Sequence, residues 1–127
     1  MASNDPVTRT SAHERRVADP TPGIVREQAI GVDGMWAGFV RNEPRAMSGW
    51  HHHGDHDTAL YVVNGAIRIE FGPGGRDAVE AGTGDFLHVP KYAIHREANP
   101  RDEESHVVVV RTGDGPPTVN VDGPAPD

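Results

Sequence analysis

The chain has no cysteine and a single lysine, Lys91, among its 127 residues. Without thiols there is no disulfide, no thiolate metal site and no cysteine nucleophile, so any metal must be held by nitrogen and oxygen. Positive charge is scarce as well: 12 Lys plus Arg stand against 19 Asp plus Glu, a formal charge of −7, with no basic run. A nucleic-acid partner, which selects for a basic face, is therefore not expected. The longest apolar runs, Ala59 to Val63 and Val107 to Val110, fall far short of the roughly 20 residues that span a bilayer. The opening Met-Ala-Ser-Asn-Asp-Pro also lacks the apolar core of a signal peptide. No membrane partner is expected, and a cytoplasmic protein is the default reading. A chain of this length buries one core with a small cavity, which argues against two-lobed enzymes such as Rossmann dehydrogenases.

Helical periodicity is also missing. No window of a dozen residues sustains apolar recurrence at i, i+3, i+4 and i+7, and 15 glycines with 11 prolines punctuate the chain. What recurs is the short strand bounded by turn residues: 59–63, 66–71, 85–89, 105–111 and 118–121, with weaker candidates at 24–30, 35–40 and 77–81. The expected fold is all-β, a sandwich or barrel of many antiparallel strands. Asn64-Gly65 between two apolar strands predicts a type I′ hairpin turn, and Gly72 to Gly75 and Gly82 to Gly84 predict two further corners. Residues 1–22, rich in polar residues and carrying Pro6, Pro20 and Pro22, read as a mobile arm or an edge strand swapped onto a partner. The barrel is assigned to 23–122 and a tail to 123–127.

Histidine carries the chemical information. Four of the eight fall within Gly49-Trp-His-His-His-Gly-Asp-His56. If residues 50–53 are extended, His51 and His53 point to one face with Cα atoms roughly 6.6 Å apart, near enough for both imidazoles to reach one ion. An exposed histidine patch is the plain alternative.

With these residues the sequence resembles the cupin superfamily. Its first pattern, G-x5-H-x-H-x3,4-E-x6-G, is matched by His51, His53 and Gly65, but Thr58 stands at the acid and Pro44 or Arg45 occupies the region of the opening glycine. Its second, G-x5-P-x-G-x2-H-x3-N, is matched by Gly84, Pro90, His95 and Asn99, with Tyr92 where glycine is usual. The resemblance implies an antiparallel jelly-roll barrel with a divalent transition metal (Fe, Mn, Zn, Ni or Cu) on His51, His53 and His95. Three neutral imidazoles on one face of an ion leave open positions for water, O2 or a chelating substrate. Loss of the acid leaves the site at +2 rather than +1, which favours an anionic ligand.

Strand parity extends the candidates. Thr58, Leu60 and Val62 share a face and, with Ile67, are expected to line the substrate cavity. Glu97 shares parity with His95, as an orienting group or general base, or else as a rim residue paired with Arg96 or Arg101. His88 is the second catalytic candidate, and Asp55, His56 and Asp57 are alternatives for a fourth ligand. The resemblance implies an Fe(II) dioxygenase-like enzyme acting on a small chelating or anionic molecule. A non-redox isomerase, lyase or epimerase and a non-catalytic binding module are the alternatives. A homodimer is expected, because sheet edges and an outward Tyr61 call for cover.

Overall fold

Alternating apolar residues between turn signals become strands throughout the computed structural model, which describes residues 6–127. In chain order they are β1 (Arg16–Thr21), β2 (Ile24–Val32), β3 (Met35–Asn42), β4 (His51–His52), β5 (Asp55–Asn64) and β6 (Ala66–Phe71). There follow β7 (Asp77–Gly82), β8 (Phe86–Val89), β9 (His95–Ala98), β10 (Ser105–Asp114) and β11 (Val119–Asn120). They form two antiparallel sheets, ordered β1-β2-β3-β10-β5-β8 and β11-β4-β9-β6-β7. This is the all-β jelly-roll barrel expected. No described helix is long and apolar enough to cross a membrane.

Period-two burial sets the inner surface. On β5 the side chains of His56, Thr58, Leu60 and Val62 are buried, and on β10 those of Ser105, Val107, Val109 and Arg111. The core cluster joins Ile24, Val40, Leu60, Val62, Val107 and Val109 to Ile67, Ile69 and Ala81 of the smaller sheet. Each fully buried Val, Leu or Ile contributes about 1.5–3 kcal/mol by leaving water. On β5 the inward residues change from Leu60 and Val62 to Thr58 and His56, and on β10 from Val107 and Val109 to Arg111; Thr58 and Arg111 border the site.

One expectation about connections is corrected. Asn64-Gly65 is not a hairpin: β5 and β6 lie in different sheets, and the turn carries the chain across the barrel. Gly65 alone takes a left-handed backbone there (φ 87°), and a Cβ at this position would lie 2.9 Å from the Cβ of Ser105. Gly82 to Gly84 likewise passes from one sheet to the other, whereas Gly72 to Gly75 does close a hairpin between β6 and β7. Part of the segment read as an arm or a swapped strand is β1, an edge strand paired to β2 of the same chain. Residues 1–5 of that segment lie outside the described residues.

Candidate metal centre

β4 places His51 in register with His95 of β9, and the residue after β4, His53, turns its ring to the same side. The three ring centroids lie 4.4 to 5.1 Å apart, and all three side chains are buried. Each Nδ1 is tied to a main-chain carbonyl at 2.8 Å: His51 to Gly49, His53 to Pro117 and His95 to Ala93. A carbonyl only accepts, so each Nδ1 must donate its hydrogen, and in the neutral ring the Nε2 lone pair is left facing the other two. This is how proteins orient imidazoles for metal binding.

The fourth member is Glu97, two residues beyond His95 on the same face of β9. Its Oε1 lies 3.4 Å from His51 Nε2 and 3.7 Å from His95 Nε2. The main chain of Glu97 is pinned by Ser48, whose N–H donates to its carbonyl (2.8 Å) and whose hydroxyl accepts its N–H (2.9 Å). Burial pushes the Glu97 carboxyl up. The contacts and charges of His51 and His95 together outweigh it and hold the group well below the usual carboxylate range. His53 is displaced for different reasons: burial first, then the charge of Arg111, lowers it to about 3.

One ligand atom from each of His51, His53, His95 and Glu97 lies within 4.8 Å of the others. Two donors on one tetrahedral or octahedral ion stand roughly 3.0–3.4 Å apart at bond lengths near 2.1 Å, so the Glu97 contacts are already close to that span. The buried Nε2 of His95 has no hydrogen-bond partner, a cost that a cation would remove. The donor set of three imidazoles and a carboxylate suits a first-row divalent ion.

The other candidates separate cleanly. Thr58 is buried at the acid position of the first pattern and shares a small inner cavity with Leu60, His53, His95 and Glu97. Val62 and Ile67 belong to the core and line none of the three cavities that touch the imidazoles, which corrects their assignment to substrate. His88 is corrected as well: it is exposed, opposite Ala59 on the outer face, with Nε2 2.9 Å from Asp57. Asp57 is engaged there, Asp55 pairs with Lys91 at 3.3 Å, and His56 Nδ1 donates to the His53 carbonyl. None of these three belongs to the cluster formed by His51, His53, His95 and Glu97. Glu97 does not pair with Arg96 or Arg101; Arg96 binds Glu70 at 2.6 Å instead. With Glu97 in the cluster, the charge count based on Thr58 no longer holds.

Sequence reasoning missed Arg26 and Arg111. Both line a cavity of about 400 Å³ with Thr21, Ser48, His51, His53, Thr118 and Asn120. An arginine on the inward parity of a valine-rich strand was the available signal for Arg111. The two departures from glycine are also explained. Arg45, six residues before His51, and Tyr92 have φ of 61° and 60°, and they are the only non-glycine residues with positive φ among those described. Asn99 shares its side-chain amide among the carbonyls of Asn42, Glu43 and Glu103, tying together the loops behind β9.

The two sheets and the histidine cluster at one end of the barrel define a jelly-roll protein with a metal-type centre. The cupin domain family model matches residues 38–111, and the chain belongs to that family. No curated protein matches the chain by sequence. Among solved structures it is similar to KdgF from Halomonas sp. (23% identity, TM-score 0.69, covering 85% of this chain and 96% of that one). It is also similar to the Drosophila melanogaster CENP-C cupin domain (18%, 0.71, 88% and 86%). A mutant of Bacillus subtilis oxalate decarboxylase OxdC is a third neighbour (22%, 0.72, 86% and 30%). At these identities the likeness is one of fold.

Proposed function

We propose that this cupin binds one divalent transition metal through His51, His53, His95 and Glu97, and acts on a small anionic or chelating organic substrate in the manner of an Fe(II) dioxygenase. The observation that carries the reading is the buried, unpartnered Nε2 of His95 facing two other imidazoles whose Nδ1 atoms are already committed. Redox and Lewis-acid chemistry is what a bound Fe(II) supplies there. The protein residues orient the imidazoles, balance charge through Glu97 and keep water from the inner side with Leu60, Val89 and Val109.

The redox version is preferred for a specific reason. Besides His51 and His53, no described residue lining the larger cavity carries an imidazole or a carboxylate, and His88 lies on the outer face. An isomerase, lyase or epimerase needs a base beyond the ligands, and Glu97 is taken up by the cluster. A homodimer covering exposed apolar edge residues such as Val17 and Phe86 is part of the same proposal.

Elemental analysis of protein purified under nitrogen tests the metal. Wild type is expected to hold about one equivalent, and His95→Ala to lose at least about 100-fold in affinity, since even outer-shell changes cost 10–100-fold. No stoichiometric metal under any loading condition would sink the reading. O2 uptake by the Fe(II) form with a diketone, catechol-like or hydroxy-acid panel tests the reaction class; metal binding without turnover assigns the chain to the ligand-binding modules instead.

A further inference from the structure

The outer faces of the two sheets differ in kind. On the smaller sheet, Arg68, Glu70, Glu80 and Arg96 lie on the parity opposite the buried Ile67, Ile69 and Glu97. They pair with one another: Arg68 with Glu70 at 3.1 Å and with Glu80 at 3.6 Å, and Arg96 with Glu70 at 2.6 Å. That is the polar outer side of an antiparallel sheet packed on one face only. The larger sheet presents the opposite pattern. Strand register lines up Val17, Glu27, Phe39, Val108, Tyr61 and Phe86 in one row across all six strands. These side chains alternate with the buried Val40, Leu60, Val107 and Val109 and so face outward. The adjoining row is Ile30, Ala37, Val110, Ala59 and His88. Val17 and Phe86, the two ends of the first row, are 66% and 73% exposed, and the Tyr61 and Phe86 rings lie 4.8 Å apart.

Sequence patterning agrees. Val107 to Val110 is an unbroken apolar run, with Val107 and Val109 buried inside and Val108 and Val110 half-buried outside, and Ala59 to Val63 is a second such run on β5. Unbroken runs belong to strands covered on both faces. The charges around this face are matched within the chain: Arg15 and Arg41 pair with Glu27 at 3.4 and 3.2 Å, His88 with Asp57 at 2.9 Å and His106 with Glu104 at 2.7 Å. An apolar partner suits it better than a charged one. Six strands about 4.8 Å apart, rising about 3.3 Å per residue over the ten residues of β5 and β10, span up to about 800 Å². A stable interface takes about that area from each partner, and a larger exposed apolar patch than a few hundred Å² marks an interaction surface. We infer that the outer face of the larger sheet is the docking surface for a second copy of this chain, the two sheets packing face to face about a two-fold axis with Val108 and Tyr61 near the centre. The inference rests on the homodimer proposed above and adds the surface that makes it; it does not depend on the metal.

Sedimentation velocity between about 1 and 100 μM, where interfaces of this size begin to associate, tests it. Wild type is expected to be a dimer over most of that range. Val108→Lys and Tyr61→Lys, at the centre of the face, should weaken the dimer at least about 100-fold, as expected for central interface positions. Ala78→Lys, on the outer face of the smaller sheet beside Glu70, should associate as wild type does. Far-UV circular dichroism and thermal unfolding check that each variant folds. If Val108→Lys does not fold, Tyr61→Lys and Phe86→Lys decide the question, the latter at a side chain that is already exposed. A dimer that persists in the folded face variants overturns the surface but leaves the dimer, seated then on a sheet edge. A wild type that is monomeric at about 100 μM overturns both. Metal content should be the same in wild type and face variants; a protein that takes up no metal yet loses its dimer in these variants sinks the metal reading and leaves the surface standing.

Discussion

The two sides of the histidine cluster hold charge in opposite ways. On the side of β4 and β5, His53 lies beside Arg111, Thr58 brings no charge, and the imidazole is kept neutral, its value lowered to about 3. On the side of β9, Glu97 lies between His51 and His95 and is kept ionised well below the usual carboxylate range. Family pattern alone would place the acid on β5. Here a carboxylate stands near the imidazoles from a different strand, so the character of the centre depends on which side chains meet in space more than on which pattern position is filled.

The largest expected effect breaks the comparison with acid. His53 has an ordinary value of 6.5 and a folded value of about 3, so between these the unfolded chain takes a proton that the folded chain refuses. Stability of the metal-free protein therefore falls as pH drops below 6.5. The loss from this group is about 2 kcal/mol by pH 5 and at most about 5 kcal/mol by pH 3. Glu97 acts in the same direction but lower: its folded value is depressed, so its contribution is complete above the unfolded carboxylate value and is lost as pH falls through and below it. Urea unfolding at pH 7, 6, 5 and 4 separates the two. His53→Gln should flatten the profile between pH 6.5 and 5, and Glu97→Gln only below about pH 4.5. Equal slopes in wild type and His53→Gln would show that His53 is not held neutral.

A smaller effect comes from moving the acid. Glu97→Thr should weaken divalent-metal affinity by about 10–100-fold, measured by competition with a chromophoric chelator. Thr58 and Glu97 line the same small cavity, so the double variant Thr58→Glu/Glu97→Thr returns a carboxylate to the cluster from β5 and should regain at least about tenfold. Thr58→Glu alone adds volume to a packed site and should cost about 1–3 kcal/mol of stability. Failure of the double variant to exceed Glu97→Thr would mean that the β9 carboxylate has a role that β5 cannot supply.

How much of this was legible in the sequence differs between strands and connections. Period-two patterning located β6 to the residue, Ala66–Phe71, because one face of that strand is core and the other solvent. It also put His95 and Glu97 on one face of β9. It could not say which sheet a strand joins, since Asn64-Gly65 has the same composition in a hairpin and in a cross-sheet corner. Nor could it place His88, whose strand is four residues long with exposed Phe86 and buried Val89. The Pro117 carbonyl that anchors His53, 64 positions away, and the convergence of Arg26 with Arg111 are set by topology, which local patterning does not encode.

The smallest effect concerns the glycines that the chain keeps and those that it lacks. Gly65 and Gly84 retain positive φ (87° and 90°), while Arg45 and Tyr92 hold the same left-handed region with side chains. That conformation costs a non-glycine residue roughly 1–2 kcal/mol, and glycine returns part of the gain through its greater freedom when unfolded, about 0.5–1 kcal/mol. Tyr92 is exposed, so Tyr92→Gly should stabilise the protein by up to about 1 kcal/mol. Arg45 also pairs with Asp102 at 2.7 Å and donates to the Pro100 carbonyl, so Arg45→Gly should be close to neutral. In the reverse direction the two retained glycines should differ. At Gly84 an added Cβ meets nothing within 4 Å, and Gly84→Ala should cost only the backbone penalty. At Gly65 it also meets Ser105 at 2.9 Å, so Gly65→Ala should cost about 1–3 kcal/mol more. Thermal unfolding of the four variants measures the set, and a Tyr92→Gly protein less stable than wild type would show that the ring, 5.9 Å from His52, contributes more than its backbone costs.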